Sequence, residues 1–201
     1  MNRQQRAARA ITNVVVRAPF LWPLLRGPMT RIFDDVAPRW DAMTSPERLV
    51  AFEAGLEHVP GEPSAVLDLG TGTGDGAIAL ARRWPAAEVL GIDVSREMVE
   101  EARRKAPELR FEVGDASRLA VPDGAFDLVA MNNMIPFVDE LARIVRPGGH
   151  VLLAFSRGDE TPIYVPPALL RRKLSRAGFH VEAETSAGPG TVMVARRAQT
   201  E

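Results

Sequence analysis

Val66-Leu-Asp-Leu-Gly-Thr-Gly-Thr-Gly74 is an apolar run interrupted by one acid, Asp68, and followed by three glycines at alternate positions. An apolar run of this length followed by glycines reads as a buried strand, Ala65-Val-Leu-Asp-Leu, feeding a loop and then a helix from about Gly74 to Arg83. Glycine lets such a loop turn sharply and brings its backbone, with the amides of the helix N-terminus, close to a ligand. Ligands of open α/β sheets sit outside the C-terminal ends of the strands, which is where Asp68, Gly70, Thr71, Gly72 and Gly74 would lie.

Downstream of the loop, strand and helix alternate. Strands are expected at Glu88–Asp93, Leu109–Val113, Phe126–Met131 and His150–Phe155. Helices are expected over Ser95–Lys105 with Ser95 as N-cap, over about Val138–Val145, and over Pro167–Ala177, stopped by Gly178. Arg146-Pro-Gly-Gly149 reads as a turn. Alternation of this kind implies a parallel sheet covered on both faces. The last two runs, Phe179–Thr185 and Thr191–Arg196, flank a Gly-Pro-Gly turn at 188–190 and should pair as an antiparallel hairpin at a sheet edge.

Two further acids fall at strand ends. Asp93 ends the second strand, 21 residues after Gly72, the spacing at which a carboxylate meets ribose hydroxyls. Asp115, in Val113-Gly-Asp-Ala-Ser117, follows the third strand and is placed to accept a hydrogen bond from a purine amine. Each signal alone has an ordinary explanation as a cap or a turn. Three on consecutive strand ends, in this order, do not.

These residues carry a resemblance. Ala65 to Arg196 resembles a class I S-adenosylmethionine-dependent methyltransferase along its whole length. Val66–Gly74 is similar to the family's first motif and Leu90-Gly-Ile-Asp-Val-Ser-Arg-Glu-Met-Val99 to its second. Phe111-Glu-Val-Gly-Asp-Ala-Ser117 is similar to its adenine-contacting turn, and Phe126–Val129 and Leu141–Leu152 to its later strand blocks. The resemblance implies an α/β, Rossmann-like fold: a seven-stranded, mostly parallel sheet with helices on both faces and a C-terminal antiparallel hairpin. It implies S-adenosylmethionine as cofactor, its methionine end against the glycine loop and its adenosine between Asp93 and Asp115. Val94, Met98, Ala116 and Asn132 join Asp68, Gly70, Thr71, Gly72, Gly74, Asp93 and Asp115 as expected cofactor contacts.

The competing reading is an NAD(P)-binding oxidoreductase, because Gly72-Thr-Gly74-Asp-Gly-Ala77 satisfies G-x-G-x-x-A. An acidic Asp68 directly before the loop would repel a pyrophosphate but suits a phosphate-free cofactor with a cationic tail. A catalytically inactive methyltransferase-fold binding protein is the other alternative. It would be expected to have lost loop glycines or acids, and none is lost here.

Residues 1–62 form a second zone, a helical lid or substrate cover in front of a core at 63–201. Helices are expected over Arg3–Val16, around Met29–Val36 and over Pro46–Leu56, with Ser45 as N-cap, and prolines near Phe20-Leu-Trp-Pro23 should break any longer helix. Phe33-Asp-Asp-Val-Ala-Pro-Arg-Trp-Asp-Ala-Met43 is similar to the segment before the core in quinone-biosynthesis methyltransferases, where an aromatic-Asp pair, here Trp40-Asp41, covers the cofactor. Substrate-pocket candidates are Phe33, Trp40, Phe137 and Tyr164, and catalytic candidates are Asp41, Asn133 and Tyr164. His58, His150 and His180 read as structural or surface residues.

Composition limits the remainder. With 201 residues, 46% hydrophobic and 25% charged, the chain needs neither metal nor disulfide, and it has no cysteine. No metal site is expected, and the location expected is the cytoplasm. Two lysines against twenty-three arginines point to a GC-rich, bacterial source. A net charge of -1 and the absence of a Pro-Pro pair in Met131-Asn-Asn-Met-Ile-Pro-Phe137 argue against nucleic acid and for a small-molecule methyl acceptor. Residues 1–33 carry six arginines and no acid. That segment is either a lid over the pocket or a peripheral membrane contact through residues 1–30. Nothing in the sequence sets the oligomeric state, or whether O, C or N is methylated.

Overall fold

The computed structural model describes residue 1 and residues 3–199. Its centre is a seven-stranded sheet in the order β3-β2-β1-β4-β5-β7-β6. The strands are β1 (Ala65–Leu69), β2 (Glu88–Asp93), β3 (Arg110–Val113), β4 (Phe126–Asn132), β5 (Val145–Phe155), β6 (Phe179–Ala187) and β7 (Gly190–Arg197). β1 to β5 pair in parallel, and β7 lies antiparallel to both β5 and β6, as the short Gly-Pro-Gly connection predicts.

Strand side chains point alternately to opposite faces, so the sheet feeds two cores. Leu67, Val129, Met131, Val151, Leu153 and Met193 belong to one, and Val66, Leu128, Ala130, Leu152, Ala154 and Val192 to the other. The first is covered by α1 (Arg3–Arg17), α2 (Trp22–Val36), α7 (Val138–Ile144) and α8 (Pro167–Arg176). The second is covered by α4 (Val50–Leu56), α5 (Asp75–Arg83) and α6 (Arg96–Lys105). The N-terminal helices therefore divide between the two faces. The chain crosses from one face to the other through α3 (Trp40–Met43) and the short 3-10 turns beside it, Ala37–Arg39 and Pro46–Leu49. Among the described residues no helix is long and apolar enough to cross a membrane.

The caps read from the sequence form. Ser95 accepts the amide of Met98 at 3.1 Å and Ser45 that of Glu47 at 3.2 Å. Gly178, at φ +81°, ends α8.

Two expectations need correction. The second helix begins at Trp22, not near Met29, and contains Pro28. Pro23 is tolerated because it lies in the first turn, where its missing N–H has no partner to lose. The break expected from the two prolines forms at the first of them, with Ala18 (φ -137°) leaving the helix before Pro19. Arg146-Pro-Gly-Gly149 is not a free turn but an irregularity inside β5: Val145 pairs with Phe126 and His150 with Leu128, so five steps on one strand match two on the other. Pro147 has no amide for the ladder, and a Cβ on Gly149 would stand 2.8 Å from the carbonyl oxygen of Asp127.

Candidate functional site

The C-terminal ends of β1, β2 and β4 open into a cavity of about 700 Å³, roofed by the N-terminal helices and the crossing segment. That volume fits a cofactor-sized ligand. The glycine loop forms its floor. Gly70, Gly72 and Gly74 all have positive φ, of +78°, +55° and +90°, a region closed to most other residues. Their roles differ. A Cβ at Gly72 would meet nothing within 4 Å, whereas at Gly74 it would press on the Phe111 ring at 3.1 Å. Gly72 faces open cavity; Gly74 packs the loop against its neighbours and does not line the cavity.

Asp68 lies in the cavity wall beneath this loop and is 2% exposed. It accepts the Thr71 hydroxyl at 2.6 Å. Burial raises its pKa to about 7, against the partial counter-effect of the Thr71 hydroxyl and the Ala77 amide. A carboxyl whose pKa rises on folding binds its proton more tightly folded than unfolded. Its contribution therefore favours the folded state below about pH 4 and is lost as pH rises through about 7. Asp68→Asn should remove that dependence. Melting temperatures of variant and wild type should diverge in the variant's favour between pH 5 and 8, and a constant difference would contradict the burial argument.

Asp93 reaches the cavity from the end of β2. Its Oδ2 accepts the Gly72 amide and its Oδ1 the Ser95 amide, both at 2.9 Å, so one carboxylate ties the loop to the start of α6. Desolvation raises its pKa, opposed by these amides. Val94, Met98, Gly114 and Ala116 complete this side of the wall.

Asp115 is held differently. Its neighbours Gly114 and Ala116 line the cavity and it does not. Oδ1 accepts the Trp22 indole N–H at 2.8 Å and both the amide and hydroxyl of Ser117, while Oδ2 pairs with Arg26 at 2.6 Å. Burial pushes its pKa up, but these donors outweigh it and the pKa lies below the ordinary carboxylate value. In place of a purine amine, the carboxylate expected to meet it holds the N-terminal segment. Trp22, 4% exposed, lines the cavity, and its ring lies 5.3 Å from that of Phe137. Phe137 therefore backs Trp22 and is not part of the cavity wall.

The other candidates separate in the same way. Asn132, Asn133, Phe33 and Trp40 line the cavity; Asp41 and Tyr164 do not. Asn132 donates to the Arg48 carbonyl at 3.1 Å, and its buried Oδ1 has no hydrogen-bond partner among the described residues. Asn133 sits at φ +57°, a region Asn tolerates better than most residues. Its side chain exchanges two hydrogen bonds with Ser156, at 2.8 and 2.9 Å, which join the ends of β4 and β5. Phe33 and Trp40 pack edge to face at 6.0 Å. Tyr164 turns onto Phe155, 5.2 Å away, while its neighbour Ile163 faces the cavity.

Asp41 accepts from Thr73 at 2.7 Å and pairs with Lys105 at 2.5 Å. Burial raises its pKa, but Lys105 and Thr73 bring it below the ordinary value. Arg48 bonds to Asp75 and stands 3.6 Å from Asp41. Together these groups fasten the crossing segment to the glycine loop. Sequence reading missed Trp22 as a wall residue and missed Arg48 and Lys105. Only Trp22 had a signal, as a large aromatic in an apolar N-terminal run. His150, 8% exposed, meets Glu182 at 3.1 Å and lies outside the wall.

Known proteins match this arrangement. Residues 66–149 match the family model of a methyltransferase domain. The demethylmenaquinone methyltransferase of Thermus thermophilus is 38% identical over 141 residues, covering 61% of this chain and 63% of the relative. The malonyl-[acyl-carrier protein] O-methyltransferase of Halorhodospira halophila is 37% identical over 143 residues, covering 65% and 48%. The chain thus spans less than two thirds of the length of these relatives. A chain in the complex of the Haloferax volcanii Trm112 methyltransferase activator with a methyltransferase superposes with a TM-score of 0.72 at 22% identity, covering 83% of this chain and 98% of that one. By strand order and glycine loop the sheet has the fold of these relatives, and residues 66–149 form a methyltransferase domain.

Proposed function

We propose that this chain transfers a methyl group from S-adenosylmethionine to a small acceptor with an apolar portion. The observation that carries this reading is Asp68, a buried carboxyl in the cavity wall directly beneath a loop whose Gly72 faces open space. A pyrophosphate there would meet a carboxylate, whereas an ammonium group would draw Asp68 into its charged form. The unpartnered Oδ1 of Asn132 is a second acceptor suited to the same cationic end. Asp93 is the group to hold the ribose, and Val94, Met98 and Ile135 supply apolar wall for a purine.

S-adenosylmethionine, when bound, supplies a methyl on a sulfonium, which is already a good leaving group. What remains for the protein is to orient the acceptor and exclude water. Phe33, Val36, Trp40, Met43 and Ile163 give the acceptor side an apolar wall. Asp41, tied to Lys105 and Thr73, holds the segment carrying Trp40 and Met43 against the glycine loop.

The relatives named above are named for demethylmenaquinone and for the malonyl group of malonyl-[acyl-carrier protein], which supports a small acceptor group and leaves open whether O, C or N is methylated. A labelled methyl donor offered with demethylmenaquinone, a malonyl thioester and a bacterial small-molecule extract tests the reading. Label should enter an organic-soluble small molecule. Label entering only nucleic acid, or no acceptor at all while the donor binds, would contradict it.

A further inference from the structure

One stripe of the N-terminal hairpin faces away from everything it packs on. From Pro19 the chain runs through a 3-10 turn straight into α2, and Trp22 and Met29 point inward, at 4% and 2% exposure. Phe20 and Leu24, four residues apart and so stacked on one side of a helical path, point outward at 78% and 76% exposure. Arg31, seven residues beyond Leu24 on α2, and Arg17, at the end of α1, are both exposed, and Val14 on α1 is 41% exposed. A large aromatic and a leucine side by side in water are unusual on a free surface. Residues 1–33 carry six arginines and no acid, and of these Arg26 is paired with Asp115 while Arg17 and Arg31 make no ion pair among the described residues.

We propose that the α1–α2 hairpin docks on an anionic lipid surface, with Phe20 and Leu24 entering the headgroup region and Arg17 and Arg31 contacting lipid phosphates. Apolar burial and attraction to anionic lipid add in such a contact, each arginine near the surface strengthening it about fivefold. The proposal goes beyond methyl transfer and does not depend on it. The inner face of the same hairpin, through Ala8, Trp22 and Phe33, roofs the cavity, so docking would bring that roof against the lipid.

Co-sedimentation of the full chain with phosphatidylcholine vesicles, with and without phosphatidylglycerol, tests this. The chain should pellet with the anionic vesicles, much less with the neutral ones, and less again at high salt. Phe20→Ser with Leu24→Ser should lower partitioning about tenfold or more, as should Arg17→Gln with Arg31→Gln. Phe20→Trp, which keeps a ring suited to the interface, should retain binding. All four side chains are exposed, so the variants should melt with the wild type. No binding to anionic vesicles, or unchanged binding by the Phe20/Leu24 variant, would overturn the proposal. So would retention of an acidic carrier protein in place of vesicles, which would assign the stripe to a protein partner.

Discussion

Asp93→Ala should weaken S-adenosylhomocysteine binding by about a hundredfold or more, and Gly72→Val should abolish it, in proteins that still fold. Hydrogen bonds to a charged group are worth about 1.5–3 kcal/mol each. Losing a pair from a carboxylate to two ribose hydroxyls therefore costs at least about two powers of ten in affinity. The same carboxylate holds the Gly72 and Ser95 amides at 2.9 Å, so its loss also loosens the loop. At Gly72 the logic is steric. The left-handed backbone at φ +55° costs a larger residue about 1–2 kcal/mol, but its side chain has room, and that room is the cavity. Gly91 is the contrast, since a Cβ there would stand 2.5 Å from the Phe111 ring and would disturb packing first. Isothermal calorimetry paired with thermal melting separates the two effects. Wild-type affinity in both variants would place the donor elsewhere.

The second large effect is on stability. Phe52 on α4 is fully buried among Val66, Leu128, Leu152 and Val192, residues of four different strands. Gly55, one turn further on, brings the helix so close to the sheet that a Cβ would stand 2.6 Å from Val192. Phe52→Ala should therefore cost about 3–5 kcal/mol, a large share of the roughly 5–15 kcal/mol that stabilises a domain. Urea unfolding should show a lower midpoint with an unchanged slope. A loss below about 1 kcal/mol would mean that α4 does not pack on the sheet.

What could be read from the sequence was local. The strands follow from apolar runs, the caps from Ser45 and Ser95, the loop from its alternating glycines and the terminal hairpin from Gly-Pro-Gly. Each depends on residues within a few positions of one another, where periodicity and turn chemistry act. The features that could not be read are contacts between distant parts of the chain. Trp22 and Asp115 are 93 positions apart, and no local pattern announces that an indole will take up a strand-end carboxylate. Tyr164 and Phe137 are aromatic residues at the right end of the sheet, but side-chain direction decided against them, turning one onto Phe155 and the other behind Trp22. Asp41 is close to the loop as the family resemblance implies, yet Lys105 and Thr73 claim its oxygens. Proline was the other source of error, since its effect depends on where in a helix it falls.

The glycine loop by itself suits a dinucleotide almost as well as a methyl donor, and Asp68 beneath it is the residue that decides. Calorimetric titration of the unmodified chain, first with S-adenosylhomocysteine and then with NAD, measures that decision directly. One equivalent of S-adenosylhomocysteine should bind, with no heat from NAD at the same concentrations. Saturable binding of NAD with none of S-adenosylhomocysteine would contradict the account.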